Sequence, residues 1–228
     1  MKRQSKSRQI RVVLVEDHLM FREWLGHMLN KGGAFAVCGE ANNVGDAIEV
    51  IRRTKPDIAI VDLTLRGSSG LELIKDLNAQ GIDVPVLVLS MHDEELYAER
   101  VLRAGARGYI SKHEATSTLT DAIEKVVSGE IYLGSKITAQ VLKKVAGGGA
   151  PKATGLDLLA DRELEVFQLI GKGCNSRRIA EQLHLGESTV ETYRARIKDK
   201  LGLRDAAELY TRAALWVSGT TGEVETGR

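Results

Sequence analysis

The sequence predicts two domains: a doubly wound, parallel five-stranded α/β domain, followed by a small all-α domain of four helices. Two observations predict the first. Short apolar runs alternate with amphipathic segments over residues 10–130, and these runs end in chemically distinctive polar residues. A third observation predicts the second domain, since residues 156–217 contain no strand-like run but carry helical apolar spacing around a tight glycine-bearing turn.

Strands are expected near 10–15, 34–39, 58–62, 86–90 and 108–111, each a continuous apolar stretch of the kind buried on both faces. Helices are expected near 18–30, 44–54, 70–79, 94–104 and 116–129. Thr116 is a candidate cap for the last of these, where Leu119, Ile123, Val126 and Val127 recur at helical spacing, and Gly105 should stop the fourth. A further short helix is expected over 136–146, and 147–155, with its triple glycine and Pro151, reads as a flexible linker. Residues 131–155 together form the connection.

In the second domain, helices are expected over 162–170, 176–183, 188–201 and 205–217. Asn175 can cap the second, Gly202 ends the third, and His184-Leu185-Gly186 is the turn between second and third. Ala160 stands before the first helix, leaving Asp161 as a possible cap. The basic stretch 1–9 lacks the apolar core of a secretory signal and reads as a disordered tail, as does 218–228.

The 228 residues carry a net charge of +1, so any nucleic-acid signal must be local rather than global. No apolar run approaches the roughly 18 residues that suggest a membrane span, and no membrane partner is expected. Cys38 and Cys174 are the only cysteines, too few and too far apart for a disulfide framework or a metal ligand set. The histidines show no metal-ligand spacing, and a cytoplasmic location suits this composition.

The strand ends carry the chemistry. The first run delivers Glu16-Asp17, the third Asp62, the fourth Ser90 and the fifth, Gly108-Tyr109-Ile110-Ser111, delivers Lys112. In an open parallel sheet these positions share one edge, where ligands bind. The plain alternative is that each acid merely caps a turn or helix, but four different strand ends then supply parts of one chemistry by chance. Clustered carboxylates suit Mg²⁺, Asp62 can act as a carboxylate nucleophile toward a phosphoryl donor, and Lys112 can neutralise charge on the transferred group.

With these residues in view, 10–130 resembles the CheY-like receiver domain of two-component response regulators. The segment Asp62-Leu63-Thr64-Leu65-Arg66-Gly67-Ser68-Ser69-Gly70 follows that family's pattern, with Arg66 where Pro is usual. The resemblance implies Asp62 as phosphoacceptor, Ser90 and Tyr109 as switch residues and Lys112 as a phosphate partner. It also implies Mg²⁺ held by Glu16, Asp17, Asp62 and the Thr64 backbone carbonyl. His113 follows Lys112, where Pro is common.

In the second domain Arg194, Arg196, Lys198, Lys200 and Arg204 form the densest basic stretch, as phosphate contacts require, although a solvated helical face would look the same. Residues 156–217 resemble the LuxR-type helix-turn-helix of NarL/FixJ response regulators. Arg162-Glu163, Glu165-Val166, Gly173, Ile179-Ala180, Leu183, Thr189-Val190, Ile197 and Lys200-Leu201-Gly202 carry the likeness. Gly186 replaces a usual Ser cap, and Glu191 stands where Lys is common. DNA contacts are expected from Asn175, Arg177, Arg178, Glu191, Thr192, Tyr193, Arg194, Arg196, Lys198 and Lys200. Leu209, Ala213 and Trp216 are candidates for dimerisation or, equally, for packing inside the module.

The resemblances together imply a phosphorylation-controlled transcription factor rather than an enzyme. A sensor histidine kinase, double-stranded DNA and a second copy of the chain on activation are its implied partners, with RNA polymerase a further one. Two alternatives stand beside it. One is a DNA-binding regulator that uses the receiver only as a dimer scaffold; the other is an aspartyl-phosphate enzyme, for which the chain lacks any substrate-binding insertion.

Overall fold

The computed structural model describes residues 8–91, 94–134, 137–138 and 155–218. The chain divides into two compact units, Met1–Gly149 and Ala150–Arg228.

In the first unit, β1 (Ile10–Val15), β2 (Phe35–Ala41), β3 (Ile58–Val61), β6 (Val86–Ser90) and β7 (Gly108–Ser111) form one five-stranded sheet. All its pairings are parallel, in the order β2-β1-β3-β6-β7. The helices are α1 (Leu19–Lys31), α2 (Val44–Thr54), α3 (Gly70–Ala79), α4 (Glu94–Ala104) and α5 (Ala115–Val127). Val12, Leu14, Ile58, Ile60, Leu87 and Leu89 point to one face, where they bury Leu25 and Leu29 of α1 and Leu119, Ile123 and Val126 of α5. Their alternates Val13, Ala59, Val61, Val86 and Val88 are equally buried, while α2, α3 and α4 pack side by side. Such two-sided burial explains the unbroken apolar runs, each fully buried side chain contributing roughly 1.5–3 kcal/mol. Strand order reverses direction between β1 and β3. The crevice at their carboxyl ends is thus the switch point where this architecture binds ligands.

In this first unit three details depart from the sequence expectations. Residues after Asp62 form a small antiparallel hairpin, β4 (Thr64–Leu65) with β5 (Ser68–Ser69), closed by Arg66 and Gly67 at φ 66. Thr116 lies inside α5 rather than capping it: Glu114 is the N-cap and makes no side-chain cap bond. Tyr132, placed in the connection, pairs with Gly108 at the open edge of β7, where Tyr109 N donates to Tyr132 O and Tyr132 N to Arg107 O, each at 2.9 Å. Ile137 and Thr138 are helical, and the rest of the expected 136–146 helix lies outside the described residues. The 1–9 tail up to residue 7, the linker up to 154 and the tail from 219 also lie outside them.

The second unit contains a short 3-10 turn at Leu156–Leu158 and the helices α6 (Asp161–Gly171), α7 (Ser176–Leu183), α8 (Glu187–Leu201) and α9 (Ala206–Val217). Asn175 caps α7 as expected, its side chain accepting from Arg178 N. Asp161 does not cap α6. Ala160 is the N-cap, and Glu163 supplies the capping contact, its Oε2 accepting from Ala160 N at 2.8 Å. The turn between α7 and α8 passes through His184, which sits in the left-handed region at φ 51.

Leu209, Ala213 and Trp216, the candidates for dimerisation or for packing inside the module, all lie on α9. Leu209 and Ala213 are fully buried within this unit, on the α9 face that packs against α6. The approach is so close that a Cβ on Gly171 would lie 2.4 Å from Ala213 O. Trp216 tilts against Phe167 with ring centroids 5.6 Å apart. Leu209 and Ala213 are thus taken up by the domain's own core, while Trp216 is only partly buried.

Candidate phosphoacceptor site and DNA-reading surface

Three carboxylates and one ammonium converge at the carboxyl ends of β1, β3 and β7. Glu16, Asp17 and Asp62 are all buried, at 3%, 9% and 5% exposure. Lys112 Nζ reaches both Asp62 Oδ2 and Glu16 Oε2 at 2.7 Å, and lies 4.6 Å from the centroid of the Phe21 ring. Glu16 Oε1 also accepts from His18 N at 3.0 Å. Asp62 Oδ1 is buried without a hydrogen-bond partner among the described residues.

Local structure forces this arrangement. Asp62 N donates to Val15 O, which registers β3 against β1, and Lys112 N donates to Ser90 O, which registers β7 against β6. Gly70, the first residue of α3, lies so near the chain that a Cβ there would meet Asp62 O at 2.0 Å. Only glycine permits that approach. Ser69 and Glu72 then close a reciprocal capping box over the start of α3.

Burial, and then the charge of Asp62, push the Glu16 carboxyl above the usual carboxylate range, which Lys112 offsets only in part. For Lys112 burial opposes the charge, yet Asp62 and Glu16 outweigh it and hold the ammonium above its ordinary value. The Lys112 contribution to stability is therefore fully present below about 10.5, its unfolded value, and fades only as pH rises through the folded value. Glu16 acts oppositely: raised above its unfolded value, its ionised form costs stability at neutral pH, relieved as pH falls through the folded value.

This donor set fits a hard dication. Glu16, Asp17 and His18 bring ligand atoms within 4.8 Å of one another. The exposed His18 imidazole, 3.5 Å from Asp17 Oδ1, was not expected at this site, and it suits Mg²⁺ less well than the oxygens do. Thr64 begins the hairpin two residues beyond Asp62. Ser90 and Tyr109 are both wholly buried, so Tyr109 points inward.

The second unit sorts its basic residues into two groups. Arg196 is exposed and Lys198 half-exposed on α8, while Asn175, Arg177 and Arg178 are exposed where α7 begins. Arg177 pairs along the surface with Glu181 at 3.2 Å. Arg194 and Lys200, by contrast, hold partners within the protein, although Lys200 itself stays exposed. Lys200 Nζ donates to Glu163 Oε2 at 2.6 Å, and the Arg194 side chain is 13% exposed with Nη1 donating to Ser176 Oγ at 2.7 Å. Arg204 pairs with Glu208. The basic run therefore offers fewer open cations than its composition suggests.

Ser188, Thr189, Thr192, Tyr193 and Arg196 line a shallow polar depression along the exposed side of α8. Ser188 was not among the expected contacts. Its spacing to Thr192 and Arg196, four and eight residues, was the available signal for a shared face.

Comparison with known proteins agrees with both halves. Residues 12–124 match the response regulator receiver domain family, and residues 157–213 match the luxR family of bacterial regulatory proteins. The chain is 34% identical over 203 residues to the response regulator UvrY of Escherichia coli K12, covering 88% of this chain and 91% of that one. It is 30% identical over 222 residues to the transcriptional regulatory protein DegU of Brevibacillus brevis, covering 91% and 94%. The RcsB structure from Salmonella enterica serovar Typhimurium, bound to promoter rprA with a phosphomimetic, superposes with a TM-score of 0.58. At 20% identity over 91% of this chain and 99% of that one, the likeness shows the fold. The receiver and luxR matches, in this order on one chain and with relatives spanning nearly all of it, place the protein in the family of two-component response regulators with a LuxR-type DNA-binding domain.

Proposed function

We propose that Asp62 accepts a phosphoryl group from a partner histidine kinase and that this modification controls sequence-specific DNA binding by the second domain. One observation carries the reading: Lys112 holds Asp62 Oδ2, while Oδ1 is buried at the crevice with no partner among the described residues. Oδ1 is then the attacking atom. A bond forms from it to phosphorus as the bond from phosphorus to the donor breaks, with the donor's electron pair leaving with the donor. Lys112, anchored between Glu16 and Asp62, is placed to neutralise a phosphoryl oxygen. Glu16, Asp17, Asp62 and the Thr64 carbonyl are the residues that would hold Mg²⁺. When bound, the ion would offset carboxylate repulsion and the charge of the transferred group.

Burial of Ser90 and Tyr109 beneath the same edge provides the response. A hydroxyl drawn toward the new phosphoryl oxygens alters the packing around Tyr109, and through it the β6, α4 and β7 face. The consequence would be homodimerisation, which pairs two DNA-reading helices across a roughly palindromic site; RNA polymerase is a further partner. No helix among the described residues is long and apolar enough to cross a membrane.

Ser90→Ala tests the coupling. The nucleophile, Lys112 and the acids remain, so the variant should still be phosphorylated, while losing most of the phosphorylation-induced gain in DNA affinity. Binding isotherms with and without acetyl phosphate read this directly. An equal gain in variant and wild type would remove Ser90 from the signal path.

A further inference from the structure

The helix α8 carries an arginine where its buried stripe calls for an apolar side chain. Val190 and Ile197 are the only residues of this 15-residue helix that are fully buried, and Arg194 stands between them on the same face. Its guanidinium is spent on three helices at once. Nη1 donates to Ser176 Oγ of α7 at 2.7 Å and lies 3.5 Å from Glu191 Oε1 of α8 itself. The guanidinium carbon sits 5.1 Å from the centroid of the Tyr210 ring on α9. Ser176 Oγ in turn donates to Glu191 Oε1, so hydroxyl, carboxylate and guanidinium close a polar triangle.

We propose that Arg194 is a positioning residue for the DNA-reading helix, a strut fixing the angle of α8 to α7, and not a phosphate contact. The inference rests on the DNA-binding reading above. Two buried aliphatic side chains seven residues apart set which face of α8 points inward but constrain its tilt and slide weakly. A planar guanidinium stacked on one ring and hydrogen-bonded at its edge fixes those remaining freedoms, since it can satisfy both partners in one orientation only. Reaching for phosphate would pull the guanidinium away from Ser176, Glu191 and Tyr210 together. The adjacent Glu191 carboxylate, partnered by Ser176 and Arg194, completes the strut, which explains how an acid is accommodated on a helix that approaches DNA.

The test uses the full chain and a duplex selected by the wild-type protein from a random pool, with affinity measured against salt. Arg194→Ala should lose at least about tenfold in affinity while the slope of log affinity against log salt stays at the wild-type value. If the guanidinium instead met a phosphate, its removal would lower that slope by about 1. Arg194→Lys separates the roles again: it keeps the charge but neither fork nor stacking plane, so affinity should stay low. Ser176→Ala, which removes the hydroxyl and no charge, should weaken binding with the slope unchanged. The strut is overturned if Arg194→Ala lowers the slope and Lys restores it, or if Arg194→Ala binds as wild type. A wild-type chain that selects no sequence overturns the DNA-binding reading and the strut with it.

Discussion

Asp62→Asn is expected to abolish phosphoryl transfer altogether: incubated with acetyl phosphate and Mg²⁺, the variant should gain no phosphoryl mass where the wild type does. The amide oxygen is neutral and a poor nucleophile, and it takes the place of the one carboxylate proposed to attack the phosphoryl donor. The fold should survive. Lys112 keeps its 2.7 Å partner Glu16, and an amide oxygen can still accept from the ammonium. Removal of the Asp62 charge also relieves one of the causes that push Glu16 upward. Intact-mass spectrometry with a thermal melt distinguishes loss of chemistry from loss of structure. Chelation of Mg²⁺ should silence the wild type in the same assay. An undiminished adduct on the variant would move the phosphoacceptor elsewhere.

The second large effect is expected at the DNA surface. Arg196 and Lys198 are the α8 cations for which the structure records no carboxylate partner among the described residues, whereas Lys200 is held by Glu163. Replacing both by Ala should lower the salt slope by about 2, at roughly 0.9 per phosphate neutralised. Removing one charge-assisted hydrogen bond to phosphate costs on the order of 1.5 kcal/mol, or about tenfold in affinity. The loss should be similar on every sequence, because phosphate contacts position the protein without reading bases. Lys200→Ala should leave the slope near wild type and act instead through stability, because it leaves the buried Glu163 without its cation. A normal slope in the Arg196/Lys198 variant, or a large drop in Lys200→Ala, would redraw the phosphate-facing side of α8.

Strand positions were legible because a sheet buried on both faces leaves unbroken apolar runs, and the polar residue ending each run announced the site. The hairpin after Asp62 was not legible. Its two-residue strands, Thr64–Leu65 and Ser68–Ser69, are too short to show period-2 alternation. Tyr132 was missed because its partner is the backbone of Gly108, and no side-chain pattern encodes a bridge to a sheet edge. In the second domain the charges of Arg194 and Lys200 were visible but their partners were not. Ser176 and Glu163 lie 18 and 37 residues away in sequence, and composition counts cations without recording what they hold. The same limit explains Leu209 and Ala213, whose spacing reports burial but not whether the covering surface belongs to the same chain or another.

In the proposed reading, phosphorylation of Asp62 governs DNA binding by α8 of the second unit. Its most direct test is the affinity of the full chain for a selected duplex, with and without beryllofluoride and Mg²⁺, in wild type and Asp62→Asn side by side. Beryllofluoride should tighten DNA binding by the wild type and leave the variant unchanged. Equal tightening in both, or a wild type whose DNA affinity does not respond to beryllofluoride and Mg²⁺, would contradict control through Asp62.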